Sequence, residues 1–316
     1  MKDINLNKAV SVFGKILMLL AFVFIIRRLS QYDVNLAALA SPWILAGLFT
    51  MSLLVGVGMV FAAVNFGWIV ENLSGIIVDP GLVRRVYCGA NLYKYIPGSV
   101  MYFLGRNRLA VESEDLSHGH VAVASVMEGI FVAIAALLLI LVTVSDHMVA
   151  YLNQTVTPPF VRITSLVLLT AIIIVVWFLR DRIKNYFSSH TEGIKNLRIM
   201  VAKRLSAGLL LLVVLALTFL ATLMLLGQHV ELRNMPIVLG LFILSWLIGF
   251  MTPGVSGGFG VREAVMLMFA GHMMDEGILI SAMILHRVVC IIGDVMAFGM
   301  AHAYGCIKFS KLFKYF

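Results

Sequence analysis

Two Pro-Gly breaks, each with an arginine nine positions after its proline, are the residues of this chain best placed to do chemistry. Pro97-Gly98 leads to Arg106 and Pro253-Gly254 leads to Arg262, one copy in each half of a very apolar sequence. A broken helix leaves N–H and C=O groups unpaired, and within hydrocarbon each must be met by protein, water or substrate. Breaks at corresponding positions of two halves are therefore where a transporter builds its binding site. A third Pro-Gly, Pro80-Gly81, has no arginine nine residues on, so chance recurrence is the competing reading.

The second break is the richer one. Gly254, Gly257, Gly258 and Gly260, with Ser256 among them, allow close backbone approach and positive φ. A helix over Val261 to Ala270 follows, and its free N–H groups and positive dipole end favour an anion. Arg262, in its first turn, adds a guanidinium fork suited to phosphate, with Glu263 beside it. Tight packing of small residues between helices would leave the same pattern. The first break offers Asn91, Tyr93, Lys94, Tyr95, Tyr102 and Arg106. These read either as the opposing side of a headgroup cradle or as an interfacial belt with snorkelling Lys94 and Arg106.

Ionisable groups deep in apolar segments point to function by default. Glu128 follows the first break; His286, Arg287 and Asp294 follow the second, with Arg287 and Asp294 seven apart on one helical face. Glu128 and Arg287 are roughly equivalent in the two halves. They could pair with each other, or Arg287 could hold a phosphate while Glu128 or Asp294 takes up protons. Two motifs count for less. His118-Gly119-His120, near Glu112, Glu114 and Asp115, reads as a solvated loop, and the three cysteines lack CxxC spacing. No metal or cofactor is expected. Gly254-Val255-Ser256-Gly257 matches the GxSG of rhomboid intramembrane proteases, but His302 lies at the extreme end of the last span, too poorly placed for a Ser–His dyad.

What must position these residues is a membrane domain. Of the 316 residues, 61% are hydrophobic and 13% charged, with mean hydropathy +1.00, where a soluble domain carries roughly 25% charged residues. Apolar spans run over 8–26, 43–70, 120–144, 161–179, 205–226, 236–250 and 277–303, and the broken segments over 86–105 and 252–270. The expected fold is a single all-α polytopic domain over 1–316. Its first half covers about 8–144 and its second about 205–303, joined by the 161–179 span. The start of the chain reads as a retained first helix, since Arg27 and Arg28 stand where a cleavage site would be.

Basic residues crowd the N-terminus, the 180–204 loop and the C-terminal tail, placing all three in the cytoplasm. With about eight crossings, that requires the first broken segment to re-enter and the second to cross. Symmetry instead prefers two re-entrant hairpins and an external C-terminus. Net charge is +8, gathered at segment ends, which suits anionic headgroups and not nucleic acid.

At these residues the chain resembles the flippase-like transmembrane region of the lysylphosphatidylglycerol synthase family. Pro253-Gly254 through Gly258-Phe259-Gly260-Val261-Arg262-Glu263-Ala264 is similar to that family's P-G-G-x-G-x-R-E-A element. Lys94-Tyr95-Ile96-Pro97-Gly98 to Gly105-Arg106 is similar to its Y-x-P-G…R element. Glu128 matches the acidic position of an E-R pair whose arginine is here Gly129, and Arg287 matches the arginine after the second element. The resemblance implies broken helices meeting inside the bilayer around a lipid headgroup path. It does not imply lipid aminoacylation, because the synthase domain of fused members is not in this sequence.

The expected function is translocation of a phosphate-bearing amphipathic lipid, a phospholipid or a polyprenyl-phosphate-linked glycan, across a cell membrane. Pro253 to Glu263 and Arg287 would cradle the phosphate, faced by Lys94, Tyr95, Pro97, Gly98, Arg106 and Glu128. No nucleotide-binding motif is present, so a gradient or substrate supply would drive it, and no enzymatic activity is expected. The alternative is a non-transporting membrane partner of an envelope glycosyltransferase, and a rhomboid-like protease is the remote one.

Overall fold

A computed structural model describes residues 41–95, 100–113, 116–154, 197–252 and 256–303. The expected spans 8–26 and 161–179, the basic tail, Pro97, Gly98, Pro253, Gly254 and the side chain of Ser256 lie outside the described residues.

Among the described residues eight α-helices follow in order: α1 Pro42–Ser74, α2 Pro80–Leu92, α3 Val100–Glu112, α4 His118–Gln154, α5 Leu197–Leu225, α6 Met235–Met251, α7 Val261–Ala270 and α8 Glu276–Ala303. Short 3-10 turns, Tyr93–Tyr95 and Ser256–Gly258, stand after α2 and before α7. The third Pro-Gly is no break. Pro80 sits in the first turn of α2, and the Asp79 side chain caps that helix by accepting from the Leu82 N–H at 2.8 Å. Helix α1 starts the same way, with Ser41 as cap and Pro42 behind it, and ends at Gly75 in the left-handed conformation (φ 71°).

Helices α1, α4, α5 and α8 are long and apolar enough to cross a membrane, and α6 is a shorter apolar helix. This is a helical membrane protein. Large apolar side chains such as Phe49, Leu53, Leu137, Leu141 and Val295 are exposed along these helices, as surfaces in contact with lipid require. The 13 residues of α2 and of α3 each extend about 20 Å, short of a hydrocarbon core of about 30 Å.

The order short helix, 3-10 turn, short helix, long helix occurs twice, as α2-turn-α3-α4 and as α6-turn-α7-α8. Within each copy the short helices pack on each other, and the two 3-10 turns lie against one another. The expected span 236–250 is thus the first arm of the second broken unit, not an independent neighbour of it. Two apolar cores form, one around Phe66, Ile69, Tyr87, Leu109 and Val121 with Ala297 and Ala301 of the second half, the other around Phe219, Phe242, Leu247, Met266 and Leu279 with Val55 and Ala135 of the first. Helix α8 closes on α1 through small residues: a methyl group at Gly293 would lie 2.8 Å from the Ser52 carbonyl oxygen.

Candidate functional site

The two breaks gather buried charge into three clusters. Tyr87, Asn91 and Lys94–Tyr95 recur three and four residues apart, so they share one face of α2 and its terminal turn. That face meets Asp294 of α8, which is almost fully buried. Asn91 Nδ2 donates to Asp294 Oδ1 at 2.7 Å, Lys94 Nζ lies 2.6 Å from Oδ2, and the Tyr95 hydroxyl also donates to Oδ2. One carboxylate of the second half is thereby held by three donors of the first.

The second cluster lies between α3 and α4. Arg106 is 1% exposed and ion-paired to Glu128, whose other oxygen accepts from the Tyr87 hydroxyl at 2.7 Å. The guanidinium also donates to the Tyr102 hydroxyl, one turn back. Its carbon stands 4.7 Å from the Phe66 ring centre and 4.3 Å from those of Tyr87 and Tyr102, a three-ring cation–π cage. Arg106 therefore does not snorkel; of the tyrosines read as an interfacial belt, Tyr102 turns inward around it and Tyr95 bonds Asp294 instead.

The third cluster is the glycine-rich turn. Gly257, Gly258 and Gly260 have φ of 59°, 68° and 81°, a left-handed run that only glycine tolerates at low cost. A side chain at Gly258 would also meet the Gly249 Cα at 2.8 Å. The turn points carbonyls at Arg287, whose Nη1 donates to Gly257 O at 3.3 Å and Nη2 to Gly258 O at 3.0 Å. Arg287 Nε donates to Glu263 Oε1 at 2.5 Å and Nη2 reaches Oε2 at 3.2 Å. The partner of Arg287 is thus Glu263, not Glu128 or Asp294. Sequence spacing hid this because Glu263 lies 24 residues away on a different helix. Glu263 also accepts from the Gly260 N–H at 2.7 Å. The carboxylate three residues into α7 has turned back to cap its own helix, so part of the expected anion site is filled by Glu263.

Arg262 differs from these three cations. It forms no ion pair with a carboxylate of the described residues, and its Nε is buried without a partner. Its stem crosses α6 at Gly249, where a methyl would come within 2.6 Å of its Cγ, and its head stands 5.5 Å from the Trp246 ring centre. Arg287, Glu263 and Tyr95 all lie within electrostatic reach of it. An arginine paired with a carboxylate is locally neutral, whereas Arg262 keeps an uncompensated charge at the seam where the two turns meet.

The structure thus brings Lys94, Tyr95 and Asp294 together, Arg106 with Glu128, and Arg287 with Glu263 and the glycine turn. His302 is exposed in the last turn of α8 and bonded to the Phe298 carbonyl. Sequence reasoning passed over Tyr87 and read Asn91 and Tyr102 only as amphipathic groups of the first break, although their 3–4 spacing to Lys94 and Arg106 was there to read. Comparison of the chain with known protein families, curated proteins and solved structures finds no match.

Proposed function

We propose that this protein is a lipid translocase that moves a phosphate-bearing amphipathic lipid between leaflets, with Arg262 as the group that meets the phosphate. The observation that carries this reading is Arg262, without an ion pair among the described residues, beside two 3-10 turns that touch each other. Arg262 is half-buried with its Nε fully enclosed; a guanidinium so placed without a counter-anion is costly, and a substrate phosphate supplies one in transit. The lipid could be a phospholipid or a polyprenyl-phosphate-linked glycan, as in the family that the breaks resemble.

In this reading the two units of short helices are re-entrant hairpins, because arms of 10 to 17 residues reach about 15–25 Å. Asp294 is the coupling group: a proton there would weaken its hold on Lys94 and Tyr95 and let the halves part. With the second unit re-entrant, only α5 and α8 cross between the 180–204 loop and the C-terminal tail, so the two lie on the same side. The basic tail argues for the cytoplasm, and we place it there, with the N-terminus. A reporter fused after Phe316 should then be active only in its cytoplasmic form; activity of an exported reporter at that position would reverse the orientation.

The function is tested in proteoliposomes carrying a headgroup-labelled phospholipid and, separately, a polyprenyl-phosphate-linked sugar. Arg262→Gln should insert and melt like the parent yet lose at least tenfold in translocation rate. Arg262→Lys should recover little, since a point charge does not reproduce the guanidinium fork. Translocation at the parental rate by both variants would sink the proposal and favour a non-transporting partner of an envelope glycosyltransferase.

A further inference from the structure

Arg204 has no part in the three clusters, yet it is only 5% exposed. It lies in α5 just inside the apolar stretch that begins at Ala202. Its Nη1 donates to the Asn65 backbone oxygen at 2.7 Å and also to the Asn65 side-chain oxygen, both neutral acceptors. Its Nε is buried and unpartnered. The guanidinium carbon stands 5.2 Å from the Trp68 ring centre, and Lys203 Nζ stands 5.5 Å from the same ring.

Arg204 lines a cavity of about 30 Å³ between α1, α4 and α5, whose other polar walls are Asn65 and Glu128. Glu128 acts on Arg204 only through space and forms no ion pair with it, its two oxygens being held by Tyr87 and Arg106. The remaining walls are apolar, and Phe131 and Leu211 among them are only part-buried. A space of this size admits one oxygen-sized group, so a whole headgroup does not enter. One anionic oxygen does, with the rest of its molecule outside among apolar side chains.

We propose that this crevice is a second lipid site, in which a phosphate oxygen of an anionic phospholipid reaches Arg204 while an acyl chain runs along Phe131 and Leu211. Three features favour a lipid over free phosphate. The apolar mouth offers an ion nothing, Trp68 is the residue type that marks the membrane–water boundary, and basic pockets between spans are where anionic headgroups bind. This site is independent of Arg262 and of translocation.

The test is native mass spectrometry of the intact protein from nanodiscs of phosphatidylcholine with and without phosphatidylglycerol. The parent should retain one more anionic lipid than Arg204→Gln, while Arg262→Gln keeps that lipid, which separates this site from the proposed substrate path. Because Arg204→Gln could fold poorly, Leu211→Trp, which obstructs the mouth and leaves Arg204 in place, should lose the same lipid. Parental lipid retention in folded Arg204→Gln, or in Leu211→Trp, overturns the proposal. So does equal protection of delipidated protein against heat by inorganic phosphate and by phosphatidylglycerol vesicles, since that would make free phosphate the ligand.

Discussion

Arg106→Gln is expected to destabilise the protein by about 3–5 kcal/mol, because it leaves Glu128 as a largely buried charge without its cation. Glu128 would keep only the Tyr87 hydroxyl, and the three rings around Arg106 would lose the cation that holds them in place. A surface pair of the same residue types is worth at most about 1 kcal/mol, but here the side chains are 1% and 15% exposed. The double variant Arg106→Met with Glu128→Gln removes both charges and keeps an acceptor for Tyr87. It should recover more than half of the loss, since an isolated pair replaced as a unit is often close to neutral. Denaturant unfolding of the purified variants in one detergent measures both. A single-variant loss below about 1 kcal/mol would mean that water reaches the pair and the cage does not isolate it.

Arg287→Gln should be nearly as damaging, at about 3 kcal/mol or more, and the rescuing partner is Glu263. Removing Arg287 strands the Glu263 carboxylate with one backbone donor, Gly260 N–H, and leaves the Gly257 and Gly258 carbonyls without theirs. Arg287→Gln with Glu263→Gln should regain much of the stability, because a glutamine at 263 can still accept from Gly260. Arg287→Gln with Glu128→Gln should regain none. The comparison also separates architecture from ligand binding. If Arg287 served substrate phosphate alone, Arg287→Gln would unfold at the parental denaturant concentration and lose only lipid. Parental stability of that single variant would therefore remove Glu263 as its partner.

These two pairs bear on the cradle drawn from the motif. A glycine-rich turn feeding a helix start, with arginines nearby, predicts an anion at that point, and an anion is there: it is Glu263. The motif's own acidic residue uses the amide and the guanidinium that a phosphate would have used. What remains for a ligand is Arg262, whose neighbours Trp246 and Gly249 come from the other arm of the same broken unit.

By itself the amino-acid sequence determined that this is a helical membrane protein, because apolar runs of about 20 residues have no other stable use in water or lipid. It also pointed to the places where α2 and α6 end, Leu92 and Met251, since Pro and Gly act on their own local backbone. It did not determine that Pro80-Gly81 starts a helix, because that depends on whether Asp79 finds the Leu82 amide. Nor could it name partners for charges. Glu263 and Arg287 are 24 residues apart, Asn91 and Asp294 are 203, and Asn65 and Arg204 are 139. No helical period relates such positions; only the packing of α8 on α1, α2 and α7, and of α5 on α1, brings them within bonding distance. Tertiary structure alone decided which inward arginines are ion-paired and which, like Arg262 and Arg204, form no ion pair among the described residues.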